Sequence, residues 1–220
     1  MDAREDEKRA AAEAAAQEVP DGAVIGLGTG TTVAHFLPAL ARRGLALACV
    51  ATSAATEGAA RALGLAVQPF DMLDRLDIAV DGADQVALDF WLVKGGGGAH
   101  TREKVVAAAA DRFLVIVSSD KLVESLGPPV PIEVLRYGMR ATIRRLSEIG
   151  PVELRDAPPT PDGNVLLDYR GAVGKAAELA AAFDAVPGVV GHGLFAPWLV
   201  SEVLVGRANG KVERLSARST

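Results

Sequence analysis

The sequence predicts an α/β fold: a Rossmann-like, mainly parallel sheet with helices on both faces, plus a smaller α+β domain of the split-βαβ, ferredoxin-like type. Two observations predict the larger part. Short apolar runs alternate with helical stretches in the first half of the chain, and a glycine- and threonine-rich loop at 28–32 directly follows the first apolar run. A third observation predicts the smaller part, because the segments become shorter after a proline-rich stretch at 127–131. We therefore expect 1–128 and 200–220 in one domain and 129–199 in the other.

The alternation is clearest in the first half of the chain. Apolar residues between Val33 and Leu40 recur at helical spacing, whereas Val24 to Leu27 is a short apolar run. Strands and helices that alternate at these lengths favour βαβ units with right-handed crossovers. We predict helices at 2–18, 33–43, 52–63 and 99–112, and strands at 24–27, 48–51, 65–67, 78–80, 91–93 and 113–117.

Beyond the proline-rich stretch, two strand–helix–strand pieces follow one another, which is typical of a split-βαβ unit. The tail, 202–215, resembles a hairpin with its turn at 208–211, and we expect it to rejoin the main sheet. In this half we predict strands at 132–135, 152–155, 165–168 and 189–194, and helices at 139–149 and 175–183.

Composition narrows the classes of function. The net charge of −5 disfavours a nucleic-acid partner, because neutralising phosphates requires a basic surface. The single cysteine, Cys49, lies in an apolar run and is expected to be a buried small side chain. Residues 2–9 are dense in both charges, which disfavours a cleavable signal, and no apolar run reaches the roughly twenty residues of a membrane span. We expect a cytoplasmic protein with a small-molecule partner.

The loop at 28–32 has the character of a phosphate-binding loop. It joins a strand to a helix, so backbone amides, threonine hydroxyls and the helix N-terminus converge on it. It lacks the Gly-Lys-Ser/Thr ending of a Walker loop, and its glycines do not complete a dinucleotide fingerprint, so a monophosphate suits it better than a nucleotide. Thr52, Ser53 and Thr56, after the next strand, could contact a ligand or cap the following helix.

The stretch 77–106 concentrates the polar chemistry. Asp81 ends one apolar run and Lys94 ends another, and ligands of open α/β sheets collect at the carboxyl ends of strands, so we expect both to face one crevice. The glycines at 95–98 allow amides to approach an anion closely, and Glu103 lies early in the next helix. Taken singly, the glycines are typical of a loop and Glu103 of a solvated helix face. The combination favours proton transfer on a small polar substrate.

Several motifs carry a family resemblance. DGAD spans 81–84, and KGGGG at 94–98 is followed after three residues by REK. Further motifs, in chain order, are GLGTGTT, TSAATEGAARALG, SDKLVESLG, PIEV, DGN and GLF. Together they resemble the ribose-5-phosphate isomerases of the A type over nearly the whole chain. Gln85, the pair His100-Thr101 and the segment 136–138 depart from the family's pattern, which bears on substrate fit and rate.

The resemblance implies an aldose–ketose isomerase of the pentose phosphate pathway that interconverts D-ribose 5-phosphate and D-ribulose 5-phosphate through an enediol(ate). It implies Glu103 as the general base, with Asp81, Asp84 and Lys94 around the reacting end of the sugar. It also implies a homodimer or homotetramer that requires no metal and no other cofactor. The residues expected to bind the substrate are Thr29, Gly30, Thr31, Thr32, Gly82, Ala83, Gly95, Gly96, Gly97, Lys121 and Lys8.

Two functions from other classes stay open. The same crevice could serve as a sugar-phosphate sensor, although the sequence shows neither a helix-turn-helix segment nor a basic patch; turnover of ribose 5-phosphate would separate the two. A transferase that carries an acyl-CoA group on a glutamate is the second, and hydroxylamine would trap its thioester. A metal-dependent enzyme is disfavoured, since His35, His100 and His192 show no ligand spacing.

Overall fold

The computed structural model describes residues 3–216, which fall into two compact units. Residues 3–83, 102–121 and 197–216 form the first unit, and Asp84–Thr101 and Leu122–Ala196 form the second. The elements up to residue 109 are α1 (Ala3–Gln17), β1 (Val24–Leu27), α2 (Thr31–Ala41), β2 (Ala48–Ala51), α3 (Ala54–Ala62), β3 (Leu76–Asp81), β4 (Gln85–Ala87), β5 (Leu92–Val93) and α4 (His100–Ala109). The later elements are β6 (Ala110–Ser118), β7 (Leu122–Val123), β8 (Val130–Val134), α5 (Met139–Ile149), β9 (Val152–Leu154), β10 (Val165–Tyr169), α6 (Ala176–Asp184), β11 (Val189–His192), β12 (Leu194–Phe195), β13 (Glu202–Gly206) and β14 (Val212–Leu215).

The first unit is built on a six-stranded sheet in the order β14-β13-β6-β3-β1-β2. The strands from β13 to β2 run parallel to their neighbours, and β14 pairs antiparallel with β13. The prediction of a mainly parallel, Rossmann-like sheet is therefore confirmed. The predicted hairpin is confirmed as well, because β13 and β14 form it and β13 joins the sheet beside β6.

Helices cover both faces of this sheet, because successive side chains of a strand point to opposite sides. On β1, Ile25 and Leu27 are fully buried in one cluster with Phe36 of α2 and alanines of α1. Gly26 faces the other side, where a Cβ in its place would lie 2.3 Å from Cγ1 of Val106 in α4. Since residue 26 has no side chain, α4 can pack directly against β1.

The second unit contains an antiparallel sheet in the order β11-β8-β10-β9. The succession β8-α5-β9-β10-α6-β11 with this strand order is the split-βαβ, ferredoxin-like arrangement that the sequence predicts. A buried cluster joins the sheet to its helices through Ile132 of β8, Leu146 of α5 and Phe183 of α6. Tyr169 of β10 packs edge-on against Phe183, with 5.1 Å between the ring centres.

The other sheet of the second unit, in the order β12-β5-β4-β7, is not predicted from the sequence. β4 and β7 are three and two residues long, too short to show an apolar alternation. β5 pairs antiparallel with β4 and with β12, so it is not a strand of the parallel sheet. The expectation that Asp81 and Lys94 both end strands of one parallel sheet is therefore wrong, because Lys94 follows β5.

Two further differences concern boundaries. The stretch 65–67 is not a strand, because it makes only an isolated bridge between Val67 and Cys49. The compact units place residues 84–101 and 122–128 in the second unit and 197–199 in the first, whereas the predicted domains divide at 128/129 and 199/200. The reason is that β4, β5 and β7 pair with one another and with β12 rather than with the parallel sheet.

Glu18, just beyond the end of α1, links three parts of the first unit. Its carboxylate accepts hydrogen bonds from Arg214 of β14 at 2.6 Å and from Arg112 of β6 at 3.3 Å. Arg214 also pairs with Glu202 of β13 at 3.2 Å. The hydrogen bond from Arg214, aided by Arg112 and opposed by burial, lowers the pKa of Glu18 below its ordinary value of 4.5.

We expect Glu18→Gln to lower the free energy of unfolding at pH 7 and to have a smaller effect in acid. The pKa of Glu18 is lower in the folded than in the unfolded chain, so its contribution is present above the unfolded pKa and is lost as the pH falls through the folded pKa. Urea denaturation at neutral pH and at values below 4.5 measures the difference.

The matched control is Glu57→Gln, which breaks an exposed pair between Glu57 and Arg61 on one face of α3. Exposed pairs of this spacing contribute only about 0.3–0.5 kcal/mol, so we expect a small effect. A deficit of the Glu18→Gln variant that stays constant across the pH range would contradict the proposed linkage.

Candidate active site

The candidate site of the first unit begins where the strand order of the parallel sheet reverses. β2 lies on one side of β1 and β3 on the other, and ligands of open α/β sheets bind outside the carboxyl ends of the strands at such a point. The loop 28–30 follows β1, and Asp81 ends β3. The amide of Gly28 donates to the carbonyl of Val80 at 2.9 Å. Two predicted site segments thus lie side by side.

Asp81 is held by backbone amides. It is 3% exposed, and its Oδ1 accepts hydrogen bonds from the amides of Thr29 at 3.0 Å and of Gly82 at 2.7 Å. This approach requires a glycine at 28, because a Cβ there would lie 2.0 Å from Cγ of Asp81. The amides hold one carboxylate oxygen, so the orientation of Asp81 is set within the first unit.

A cluster of hydroxyls from the segment between β2 and the first turn of α3 supports the same loop. Oγ1 of Thr29 lies 2.9 Å from the hydroxyls of Thr52 and Ser53 and 3.3 Å from that of Thr56. Thr56 donates to the carbonyl of Gly28 at 2.8 Å, and Ser53 caps α3 by accepting from the amide of Thr56. The capping interpretation is confirmed for Ser53, and the Thr29 hydroxyl serves to shape the loop.

The start of α2 presents backbone amides beside this loop. Gly30 is its N-cap with φ 114, a left-handed conformation that favours glycine. Gly30 and Thr31 are exposed, whereas Thr32 is buried. The first amides of a helix have no partner within the helix and carry its positive dipole end, so an anion can bind here.

Glu103 lies in the first turn of α4 and is 5% exposed, so the interpretation as a solvated helix charge is wrong. Residues three apart share a helix face, and Val106, three residues further on, packs against β1 at Gly26. Glu103 thus lies on the sheet-facing side of α4, in the same unit as Asp81.

Lys121 ends a short 3₁₀ turn, Ser119–Lys121, directly after β6. Glu7 of α1, which is 7% exposed, fixes this turn. Its Oε2 accepts hydrogen bonds from the amide and the hydroxyl of Ser119, each at 2.8 Å. Lys121 is therefore held near the carboxyl end of β6. The sequence offered no sign of the role of Glu7, which lies in a run of ordinary helix charges.

Lys8 follows Glu7 on α1 and is partly buried. Its Nζ donates to Oε1 of Glu5 at 2.6 Å, and the other oxygen of Glu5 lies 2.8 Å from Nε2 of His35 in α2. The hydrogen bonds from Lys8 and His35 lower the pKa of Glu5. Lys8 is thus one member of a charged cluster between α1 and α2, which differs from an ordinary solvated lysine.

In the second unit, Lys94 is 3% exposed and follows β5. Its amide donates to the carbonyl of Gly193 at 2.9 Å, and its Nζ lies 5.4 Å from the ring centre of Phe195. A Cβ at residue 193 would lie 2.2 Å from the carbonyl oxygen of Lys94. The glycine therefore allows β12 to lie directly against the base of the lysine.

Asp84 and the glycine run lie together in the same unit. The amide of Asp84 donates to the carbonyl of Val93 at 2.8 Å, and its Oδ2 accepts from the amide of Gly96 at 2.9 Å. The run is closed by a hydrogen bond of 3.0 Å from the amide of Gly98 to the carbonyl of Gly95. Residue 95 has φ 103, and a Cβ there would lie 2.7 Å from the ring of His100, so this position requires glycine.

Two polar side chains of the second unit, one buried and one partly buried, were not singled out from the sequence. Glu133 of β8 is 2% exposed and accepts hydrogen bonds from the hydroxyls of Thr101 and Thr160 and from the side-chain amide of Asn164. Arg155, after β9, donates to carbonyls of the glycine run. The motifs PIEV and DGN contain Glu133 and Asn164 and could have pointed to them, whereas Arg155 lies in none of the motifs.

In the part of the chain that the structure describes, no group of three or more His, Cys, Asp or Glu residues is placed to hold a metal ion. Across residues 3–216, no helix combines the length and the apolar character needed to cross a membrane.

The chain is similar to proteins of known family. A family model described as ribose 5-phosphate isomerase A (phosphoriboisomerase A) matches residues 48–210. The ribose-5-phosphate isomerase A of Caulobacter sp. (strain K31) is 44% identical over 221 residues, which cover 95% of this chain and 97% of the relative. The structure of ribose 5-phosphate isomerase A from Methanocaldococcus jannaschii has a TM-score of 0.88 at 38% identity and covers 96% of this chain and 98% of that chain. A D-ribose-5-phosphate isomerase in complex with phospho-erythronic acid has a TM-score of 0.89 at 35% identity, covering 96% and 97%.

We expect the thiol of Cys49 to be unreactive in the folded protein. Cys49 lies on β2 and is 0% exposed, as predicted from its apolar run, and burial raises the pKa of its thiol to about 11. At neutral pH almost none of it is thiolate, which is the nucleophilic form. Ellman's reagent should therefore react slowly with the native protein and fully with the same protein in urea. Rapid labelling under native conditions would overturn the expectation.

Proposed function

Because this chain belongs to the ribose 5-phosphate isomerase A family, we propose that it is an isomerase that interconverts D-ribose 5-phosphate and D-ribulose 5-phosphate. In this proposal the reaction proceeds through an enediol(ate), with Glu103 as the general base. The observation that carries the assignment is the burial of Glu103 on the sheet-facing side of α4. A desolvated carboxylate on a rigid helix has the basicity and the fixed position that abstraction of a carbon-bound proton requires.

The isomerisation needs a single base, which removes a proton from one carbon and returns it to the neighbouring carbon. In the open-chain aldose, Glu103 takes the proton from C2, and the electron pair moves onto the carbonyl oxygen at C1 to give the enediol(ate). Return of the proton to C1, with transfer of a hydroxyl proton from O2 to O1, gives the ketose. The two carbons are neighbours, so one carboxylate can serve both steps.

The remaining catalytic groups act on the oxygens. Lys94 stabilises the negative charge that develops on the carbonyl oxygen, helped by amides of the glycine run. Because Lys94 is 3% exposed, water weakens its field less than it would at the surface. Asp81 and Asp84 move hydroxyl protons, including those transferred when the furanose ring opens. The backbone hydrogen bonds to both aspartates support this role, since they orient the carboxylates.

The phosphate binds, in this proposal, at the start of α2. Amides and hydroxyls of 30–32 contact it, while Thr29 keeps the loop in shape through its hydroxyl and orients Asp81 through its amide. Lys121 and Lys8 balance the phosphate charge. The remaining substrate contacts are made by backbone groups of Gly82, Ala83, Gly95, Gly96 and Gly97.

A relative supports this choice of ligand. The D-ribose-5-phosphate isomerase of similar structure was solved in complex with phospho-erythronic acid. That compound carries a carboxylate at one end and a phosphate at the other, and an enediolate phosphate likewise carries negative charge on oxygen at its reacting end and on its phosphate. We further propose that the enzyme needs no metal or other cofactor, and that it acts in the cytoplasm as a homodimer or homotetramer in the pentose phosphate pathway.

We expect the wild-type protein to form ketose from ribose 5-phosphate and Glu103→Gln to lose most of this turnover. Loss of a positioned base lowers kcat by about 10²–10⁴-fold. The amide keeps the size of the carboxylate, so KM and the affinity for phospho-erythronic acid should change little. A coupled assay for ribulose 5-phosphate gives kcat and KM, and calorimetry gives the affinity.

Glu148→Gln, at an exposed position of α5, is the matched control and should behave as wild type. In D₂O, solvent deuterium should appear at C1 of the ketose, because an enediol exchanges its abstracted proton. Binding of ribose 5-phosphate without any ketose would indicate a sensor instead of an enzyme. Near-wild-type turnover of Glu103→Gln would rule out Glu103 as the base.

A further inference from the structure

We propose that Arg155 is a positioning residue for the reaction: it sets the peptide planes of the glycine run so that the amides of Gly96 and Gly97 point away from it, that of Gly96 toward Asp84. This inference deepens the proposed function and rests on it. Arg155 acts through the backbone, without contact to the reacting atoms.

The guanidinium of Arg155 makes contacts in two directions. One terminal nitrogen donates to the carbonyl of Gly95 at 2.9 Å and to that of Gly96 at 3.3 Å, across about sixty positions of sequence. The Nε donates to Asp168 of β10 at 3.2 Å, and the other terminal nitrogen donates to the second oxygen of the same carboxylate. The side chains of Arg155 and Asp168 are 17% and 12% exposed. A planar guanidinium held by a carboxylate in this way has a fixed direction.

The direction of a carbonyl determines that of the next amide, because the trans peptide is planar and its C=O and N–H point opposite ways. The carbonyl of Gly95 points to Arg155, and the amide of Gly96 points away from it, to Oδ2 of Asp84 at 2.9 Å. By the same rule, the carbonyl of Gly96 directs the amide of Gly97 away from Arg155. Both amides thus point away from Arg155, and that of Gly96 reaches Asp84.

Glycines need such an external constraint more than other residues do. A glycine has more backbone conformations available than any other residue, and it has no side chain by which neighbours can hold it. Amides that stabilise a developing oxyanion act only when they are fixed in advance. Arg155 fixes the amides because it donates hydrogen bonds to two successive carbonyls. Its own position is fixed by the ion pair with Asp168 of β10.

The decisive experiment separates this role from that of a buried ion pair. Arg155→Met keeps an unbranched side chain but removes the donors, and it leaves the buried carboxylate of Asp168 without its main partner. The double variant with Asp168→Asn also removes that charge, so it should regain most of the thermal stability lost in the single variant. If Arg155 positions the amides, kcat of the double variant remains about 10²-fold below that of the wild type, and KM changes little. A small misplacement of catalytic groups has an effect of this size on kcat.

Arg170→Met is the matched control. Arg170 makes an exposed pair with Glu153 at 2.9 Å and lies 3.9 Å from Asp168, so it shares the carboxylate but contacts it weakly. We expect its kcat to equal that of the wild type. If the double variant regained both stability and kcat, Arg155 would be a structural ion-pair member only, and the proposal would be overturned.

A second measurement does not depend on the reaction. Hydrogen exchange at the amide of Gly96 should be faster in the double variant than in the wild type, since the peptide planes lose their constraint. Unchanged exchange would overturn the inference even in an active enzyme. Absence of ketose formation by the wild type would instead defeat the proposed function, while the exchange result would still decide the role of Arg155.

Discussion

The first unit depends on the hydrogen bonds that the amides of Thr29 and Gly82 donate to the carboxylate of Asp81. They join the loop after β1 to the end of β3, across the point where the strand order reverses. Residue 28 must lack a side chain for the contact to form, and the hydroxyls around Thr29 hold the loop in position through hydrogen bonds. One set of contacts thereby shapes the loop, orients Asp81 and places the start of α2 beside both.

Local patterns in the sequence predicted most elements and failed where an element depends on a distant partner. The strands of the parallel sheet are apolar on both faces, so their runs are visible without knowledge of their neighbours. β5 is equally visible as an apolar run, but its partner β12 lies about a hundred residues away, and two residues cannot indicate which sheet they join. β4 and β7 were missed because strands of three and two residues are too short to show an apolar alternation.

The site follows the same division. Motifs identified Asp81, Lys94 and Glu103, and the structure finds all three buried, which an isolated charge would avoid. Glu7 and Arg155 were missed because their importance comes from contacts with Ser119 and with the glycine run, far away in the sequence. A charged residue in a polar segment looks the same in the sequence whether it faces water or holds a backbone carbonyl.

The chain passes between the two units four times, at 83/84, 101/102, 121/122 and 196/197. The third passage falls immediately after the turn that Glu7 holds, and the second falls inside α4, whose first two residues count with the second unit. No single cut in the gene would therefore release either unit as a continuous fragment. Expression of one unit alone requires the splicing of distant segments, and a version of the second unit that ends before residue 194 deprives β5 of an edge partner. Because the β5–β12 pairing joins residues so far apart in the chain, it cannot form during synthesis until residues 194 and 195 have left the ribosome.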